Sequence, residues 1–298
     1  MNRGILYALA AYLCWGFLPV FWKAVQLASP LEILGHRIVW SLAFLLIVLT
    51  VRRQWRWLQR VATDRRVLLT FAATSLVLSV NWLTYIWAVN AGYVIETSLG
   101  YFINPLINVV LGVVVLHERL RWGQWAAVGL AAAGVLYLTI SLGSPPWIAL
   151  TLAFTFGLYA LVRKTATLNS LEGLTLETLF MIGPALLYLF YLEAMGRGTF
   201  GHLSPTFTSL LIATGVLTAI PLLLFAAGAR RIPLSLVGIL QYTSPTIQFL
   251  LGIFLYREPF SATKLVGFVL IWLALLLYSS ESLWQWRQVS TLKPVGVR

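Results

Sequence analysis

The sequence predicts an all-α membrane protein with ten transmembrane helices in two inverted five-helix repeats. Three observations carry that reading: a succession of long apolar stretches, a one-sided distribution of basic residues, and a self-match at a shift of 140 residues. A helix rises about 1.5 Å per residue and the hydrocarbon core is about 30 Å thick, so about 20 apolar residues make one crossing. Ten such stretches follow one another, at 4–23, 30–51, 67–90, 93–116, 121–141, 146–163, 172–195, 206–229, 232–256 and 262–282. With 60% hydrophobic and only 10% charged residues, the chain lies far outside the soluble range.

In chain order, the first stretch has the basic start of a secretory signal at Arg3. It continues through Trp15, Phe17, Phe21 and Trp22, too long and bulky for a cleavage region, and is read as an uncleaved helix. The one cysteine, Cys14, lies inside it, so neither a disulfide framework nor a cysteine metal site is available. Ser29-Pro30, Ser144-Pro145 and Ser204-Pro205 read as serine N-caps with proline at the first helical position, giving the second, sixth and eighth spans sharp starts. Glu32, three residues after Ser29, completes a capping box. His36 and Arg37 sit one to two turns inside the second span, where Glu32 is near enough for a charge network close to the membrane surface. Between the second and third spans, Arg52 to Arg60 mixes Trp with Arg as a lipid-interface segment does. On the third span Asn81 and Tyr85 share a face, and on the sixth Thr151, Thr155, Tyr159 and Arg163 run down one face.

If the N-terminus is cytoplasmic, 16 of the 21 basic residues fall on the inner side. Only Lys23, Arg37, Arg197, Arg257 and Lys264 lie outside or near the outer ends. This is the positive-inside pattern, and it predicts cytoplasmic termini, with 283–298 as a cytoplasmic tail. It also accounts for the net charge of +12 without a nucleic-acid partner; membrane lipids are the expected contact.

A shift of 140 residues aligns 92–121 with 232–261 without a gap. Pro105 falls on Pro245, Ile107 on Ile247, Leu111 on Leu251, Gly112 on Gly252 and Glu118 on Glu258. A shift of 141 places Trp15 over Phe156 and Lys23 over Lys164. The halves are 1–141 and 146–282. Five crossings is an odd number, so the second half starts on the opposite side of the membrane, which is the inverted repeat many secondary transporters build around a central site.

Glu96, Gly100, Asn104, Asn108 and Gly112 recur every four residues, and Gln241, Tyr242, Ser244 and Gln248 occupy the matching region of the second half. Amides facing lipid would be unfavourable, so both stripes should face the bundle interior. Pro105 and Pro245 each remove one backbone bond near mid-helix, freeing the carbonyls of Tyr101 and Gln241. Paired helix breaks at equal depth point to a central cavity. Candidate cavity residues are Trp15, Asn81, Tyr85, Glu96, Tyr101, Asn104, Asn108, Tyr159, Gln241, Tyr242, Ser244 and Gln248, with Pro105 and Pro245 as helix breaks. Trp15, Trp82, Tyr101 and Tyr242 could cage a flat substrate.

The block from Glu96 to Gly112 with His117-Glu118-Arg119 resembles the fourth helix of the EamA-type branch of the drug/metabolite transporter superfamily. Further matching segments are Ala11-Tyr12 to Trp15-Gly16, Glu32 to His36-Arg37, Asn81-Trp82, Ile86-Trp87 to Asn90, Leu161 to Arg163-Lys164, and Gln241 to Thr246. Together they look like the RarD group of permeases over essentially the whole chain. The resemblance implies ten helices in two inverted halves and transport of a small organic metabolite or drug-like molecule; it supplies no substrate. Pro259 after Glu258 departs from the group's pattern.

An intramembrane enzyme needs clustered carboxylates or histidines, yet the one aspartate is Asp64, and His36, His117 and His202 are scattered. A channel or membrane sensor is the other alternative, without a visible ring-forming motif to support it. No nucleotide-binding, metal or cofactor motif is present, so no cofactor is expected and transport should run on a gradient or as exchange. Protons are the candidate coupling ion, with Glu96 as carrier, although an acid in the first helical turn also suits the helix dipole. The expected location is a bacterial inner membrane; substrate, direction and oligomeric state are not encoded in any motif.

Overall fold

The computed structural model describes residues 3–91, 93–141, 147–255 and 262–291, and all their regular structure is helical. The long helices are α1 (Arg3–Ala24), α2 (Pro30–Val51), α4 (Arg65–Asn90), α5 (Val94–Val114), α6 (Trp122–Ser141), α7 (Trp147–Thr165), α8 (Ser170–Ala194), α9 (Pro205–Ala229) and α12 (Ala262–Thr291). Short α3 (Arg56–Thr63) precedes α4. A divided segment, α10 (Leu234–Gln241) and α11 (Thr243–Leu250), runs on into a π-helical turn at Leu251–Leu255. Among the described residues, seven helices have the length and apolarity of a membrane crossing: α1, α2, α4, α6, α7, α8 and α9. The chain is a multi-pass membrane protein.

The helix starts show why these residues form these elements. Ser29 Oγ accepts from Glu32 N at 3.2 Å, and Ser204 Oγ accepts from Phe207 N at 3.1 Å, each followed by proline. Ser144-Pro145 lies outside the described residues. The capping box expected at Ser29 is only half present. Glu32 turns away to accept from Thr199 N at 2.6 Å and Thr199 Oγ1 at 3.0 Å, tying α2 to the 195–204 connection. A complete box instead starts α8, where Asn169 and Glu172 serve each other's backbone. Glu118 does a related job at long range: its carboxylate accepts from Leu234 N at 2.6 Å and Ser235 N at 3.0 Å, filling the free amides at the start of α10.

The arginine-rich segment folds as α3. Trp57 and Val61, four residues apart, are buried while Arg56 stays exposed, so the helix lies on the bundle with an apolar face inward. At the other end of the chain, α12 continues to Thr291, beyond the expected boundary at 282; residues 292–298 lie outside the described set.

The two prolines behave differently. Pro245 follows a break at Tyr242 between α10 and α11, as the loss of the bond to the Gln241 carbonyl requires. Pro105 breaks nothing: α5 runs unbroken from Val94 to Val114. A proline inside a helix removes one backbone bond and can bend the helix without ending it. A Cβ on Gly238 would lie 2.5 Å from the Pro105 carbonyl oxygen, so α10 approaches α5 with bare backbone at the proline.

The central packing pairs are α5 with α7 and α10, α2 with α8 and α9, and α1 with α9 and α11, while α6 and α12 pack on each other. Short connections make successive long helices antiparallel. We call the end where α2, α5, α7 and α9 begin the upper end, and the opposite one the lower end.

Candidate functional site

A cavity of about 180 Å³ sits in the upper half of the bundle. Its aromatic wall comes from Trp15 and Trp22 of α1, Trp82 and Tyr85 of α4, Tyr101 of α5 and Phe156 of α7. Polar atoms enter from Asn81, Asn104, Gln241, Ser244 and Gln248, and Pro245 lies between the last two. An apolar pocket with a few convergent polar groups is the usual form of a small-molecule site.

Each amide is held by backbone or by another amide. Asn81 Nδ2 donates to Leu152 O at 2.9 Å and Thr155 Oγ1 at 2.8 Å, joining α4 to α7. Asn104 Nδ2 donates to Ala153 O at 2.7 Å, and Gln248 Nε2 to Trp15 O at 3.1 Å. These bonds fix the side chains' orientation, and among the described residues no donor is bonded to the oxygens of Asn81 and Gln248.

Arg37 is the one charged side chain on this wall among the described residues. Its Nε donates to Thr218 Oγ1 at 2.9 Å, and its guanidinium carbon lies 4.9 Å from the ring centroids of both Trp22 and Trp82. The sequence reading put Arg37 in a surface network with Glu32 and His36. Glu32 is instead spent on Thr199, and His36 stacks on Phe200 at 4.8 Å while accepting from Trp40 Nε1 at 3.3 Å. Helical geometry separates them: Arg37 lies 100° around α2 from His36, so one faces the cavity and the other the 195–204 connection.

Several expected wall residues stand behind it. Asn108 is fully buried and donates to Asn104 Oδ1 at 3.2 Å and Gln241 Oε1 at 3.1 Å. Tyr242 is also fully buried, its hydroxyl donating to Phe102 O at 3.2 Å. Pro105 faces Gly238. For Asn108 the four-residue spacing drifts about 40° per step, so the stripe that starts at the cavity turns into a helix contact; Pro105 and Tyr242 each follow a cavity residue by one position, about 100° around the helix. The Glu96 side chain lies outside the described residues.

Tyr159, also expected on the wall, does not line the cavity and is buried in the layer beneath it, the cavity floor. Its ring stacks on Phe225 at 6.3 Å, and Phe156 and Trp15 complete an aromatic layer with centroid spacings of 5.4 to 5.8 Å. Its hydroxyl donates to Glu177 Oε2 at 3.2 Å. Thr74 Oγ1 donates to Glu177 Oε1 at 2.9 Å, and Arg163 Nη1 lies 3.9 Å from the same oxygen, both charged side chains being fully buried. Sequence reasoning missed this pair. Glu177 is one of only nine acidic residues and lies seven residues into an apolar span, and that rarity was the available signal.

Below the floor, cations tie the lower end together. Lys164 Nζ donates to the carbonyls of Ala229 and Ile232, and Arg230 Nη1 to those of Ala166 and Leu168, joining the last turn of α7 to that of α9.

The EamA-like transporter family matches this sequence twice, over residues 2–140 and 145–280. The chain belongs to the EamA-like transporter family. Within it the chain falls in the RarD group of permeases. It is 45% identical over 282 residues to Protein RarD of Streptomyces exfoliatus, covering 95% of this chain and 90% of that protein. It is also 45% identical over 299 residues to the uncharacterized transporter YojE of Bacillus subtilis (strain 168), covering 97% of each. A solved crystal structure shares the fold at 17% identity, with a TM-score of 0.69 over 93% of this chain and 97% of that one. This EamA-family chain is thus a membrane transporter by kinship.

Proposed function

We propose that the protein is a secondary transporter that moves a small organic molecule across the bacterial inner membrane by alternating access. The observation that carries this is the composition of the cavity wall. It draws on α1, α2, α4 and α5 from one half and on α7, α9, α10 and α11 from the other, so rocking the halves would open it alternately to each side. Ten crossings in two inverted halves, 1–141 and 146–282, are part of the proposal, with α5, the divided α10–α11 segment and α12 supplying the crossings beyond the seven. Both termini are assigned to the cytoplasm on the segregation of basic residues, which makes the upper end extracytoplasmic. In that orientation the cavity belongs to an outward-facing state, sealed toward the cytoplasm by the aromatic floor, the Arg163–Glu177 pair and the cation ties.

Saturable counterflow in vesicles reconstituted with purified protein tests the reading. Gln248→Leu should reduce the flux per folded molecule, because its amide borders the cavity; since the substitution also removes the bond to the Trp15 carbonyl, flux is normalised to the folded fraction read by melting temperature. Flux that rises linearly with concentration would make the protein a channel.

Proton coupling through Glu96 is the energetic part of the proposal. Glu96→Gln should abolish accumulation driven by an imposed pH gradient and preserve exchange. Unchanged accumulation by this variant would remove Glu96 from the cycle.

A further inference from the structure

Arg37 is a cation in a cavity without a described counter-ion. The two ion pairs among the described residues, Arg163–Glu177 and His202–Glu193, lie elsewhere. Thr218 takes the Nε hydrogen and Trp22 and Trp82 flank the guanidinium, and among the described residues no side chain is bonded to the outer N–H groups at the cavity wall. A partly desolvated charge is unfavourable unless something pairs with it, and Arg163, which has its carboxylate at hand, shows how this protein handles a cation it keeps for structure.

We propose that Arg37 anchors the carboxylate of the substrate, so that the transported molecule is a small aromatic monocarboxylic acid. This rests on the transport reading above. The free edge of a guanidinium matches a carboxylate with two parallel N–H donors, and the Thr218 bond fixes the plane in which that edge is offered. Charge number decides among the anions. One carboxylate cancels one cation, whereas a phosphate monoester brings nearly two negative charges and would leave a surplus in a weakly polarisable cavity. A neutral or cationic molecule would leave Arg37 unpaired. The ring system is inferred from the walls: the aromatic rings of Trp15, Trp82 and Phe156 line the cavity, and the amides of Asn81 and Gln248 suit a polar ring substituent.

Four probes with similar rings separate these chemistries: 4-hydroxyphenylacetate, its neutral amide 4-hydroxyphenylacetamide, the cation tyramine, and phenyl phosphate. Titrated calorimetrically against purified full-length protein at neutral pH, the acid should bind at least about tenfold more tightly than the other three. Arg37→Gln should erase the difference, and Arg37→Lys should retain part of it, since an ammonium keeps the charge and loses the fork. The inference is overturned if any of the other probes binds the wild-type protein as well as the acid does. Lack of saturable binding of the acid at millimolar concentration also overturns it, as does a preference that survives in Arg37→Gln. The wild-type comparison stands even if a variant fails to fold. Acid-selective binding without counterflow would keep the carboxylate site and end the transport reading. Saturable counterflow of the amide or the amine without acid preference would do the reverse.

Discussion

Asn108 holds three helices together without touching the cavity. It bonds Asn104 and Gln241, and Asn104 in turn bonds the backbone of α7. Asn108→Leu should therefore lower stability by about 1–2 kcal/mol, read as the melting temperature in detergent, by stranding two acceptors at the α5–α10 contact. The Arg163–Glu177 pair predicts a larger and less additive effect. Arg163→Met alone leaves a fully buried carboxylate whose partners are Thr74 and Tyr159, and should destabilise by about 3–5 kcal/mol. Combining it with Glu177→Leu should recover much of that loss, and a double-mutant cycle measures the coupling directly. The polar stripes on α5 and α11 were legible as interior features because lipid does not accept amides. Which members face space and which face another helix was not, since that depends on how far each stripe has drifted before the neighbouring helix covers it. Arg37 was legible as unusual and misread in its company, because spacing along α2 cannot tell that Glu32 has a better partner 167 residues away.

At the scale of the element, the contact between α5 and α10 is among the close backbone approaches of the described residues, with that of Gly215 on α9 against Trp40 and Ser41 of α2. Gly238 faces the Pro105 carbonyl, where an added methyl has backbone rather than a flexible side chain to displace. Gly238→Ala should destabilise by about 1–3 kcal/mol, while Gly129→Ala, where an added Cβ meets nothing within 4 Å, serves as a control with little effect. Thermal unfolding of both variants makes the comparison. Hydropathy located the long helices to within a few residues, the C-terminal end of α12 excepted, because apolar length is what a bilayer demands. It did not distinguish a proline that divides a helix from one that a helix runs through, nor reveal the π-helical turn at Leu251–Leu255. Those depend on what lies alongside, and a single helix's sequence holds no record of it.

For the whole molecule, the proposed orientation places both termini and the 52–66 segment in the cytoplasm. In a Cys14→Ala background, Arg60→Cys should be protected from a membrane-impermeant maleimide applied outside intact cells, and strong labelling would invert the topology. The proposed repeat rests in the sequence on five matched identities at a shift of 140, whereas the ties at the lower end were not legible, because they join side chains to main-chain groups that carry no sequence signature. That mode of closure has an evolutionary consequence. In the bonds of Lys164 and Arg230, and in the two backbone amides held by Glu118, one partner is peptide backbone, present whatever residue occupies the position. A tie of this kind can be gained or lost by a single substitution, with no compensating change required opposite. Lineages carrying this fold could therefore tune how firmly the lower end stays shut one mutation at a time, and a change at Lys164 or Arg230 would register as altered turnover before it registered as altered cargo.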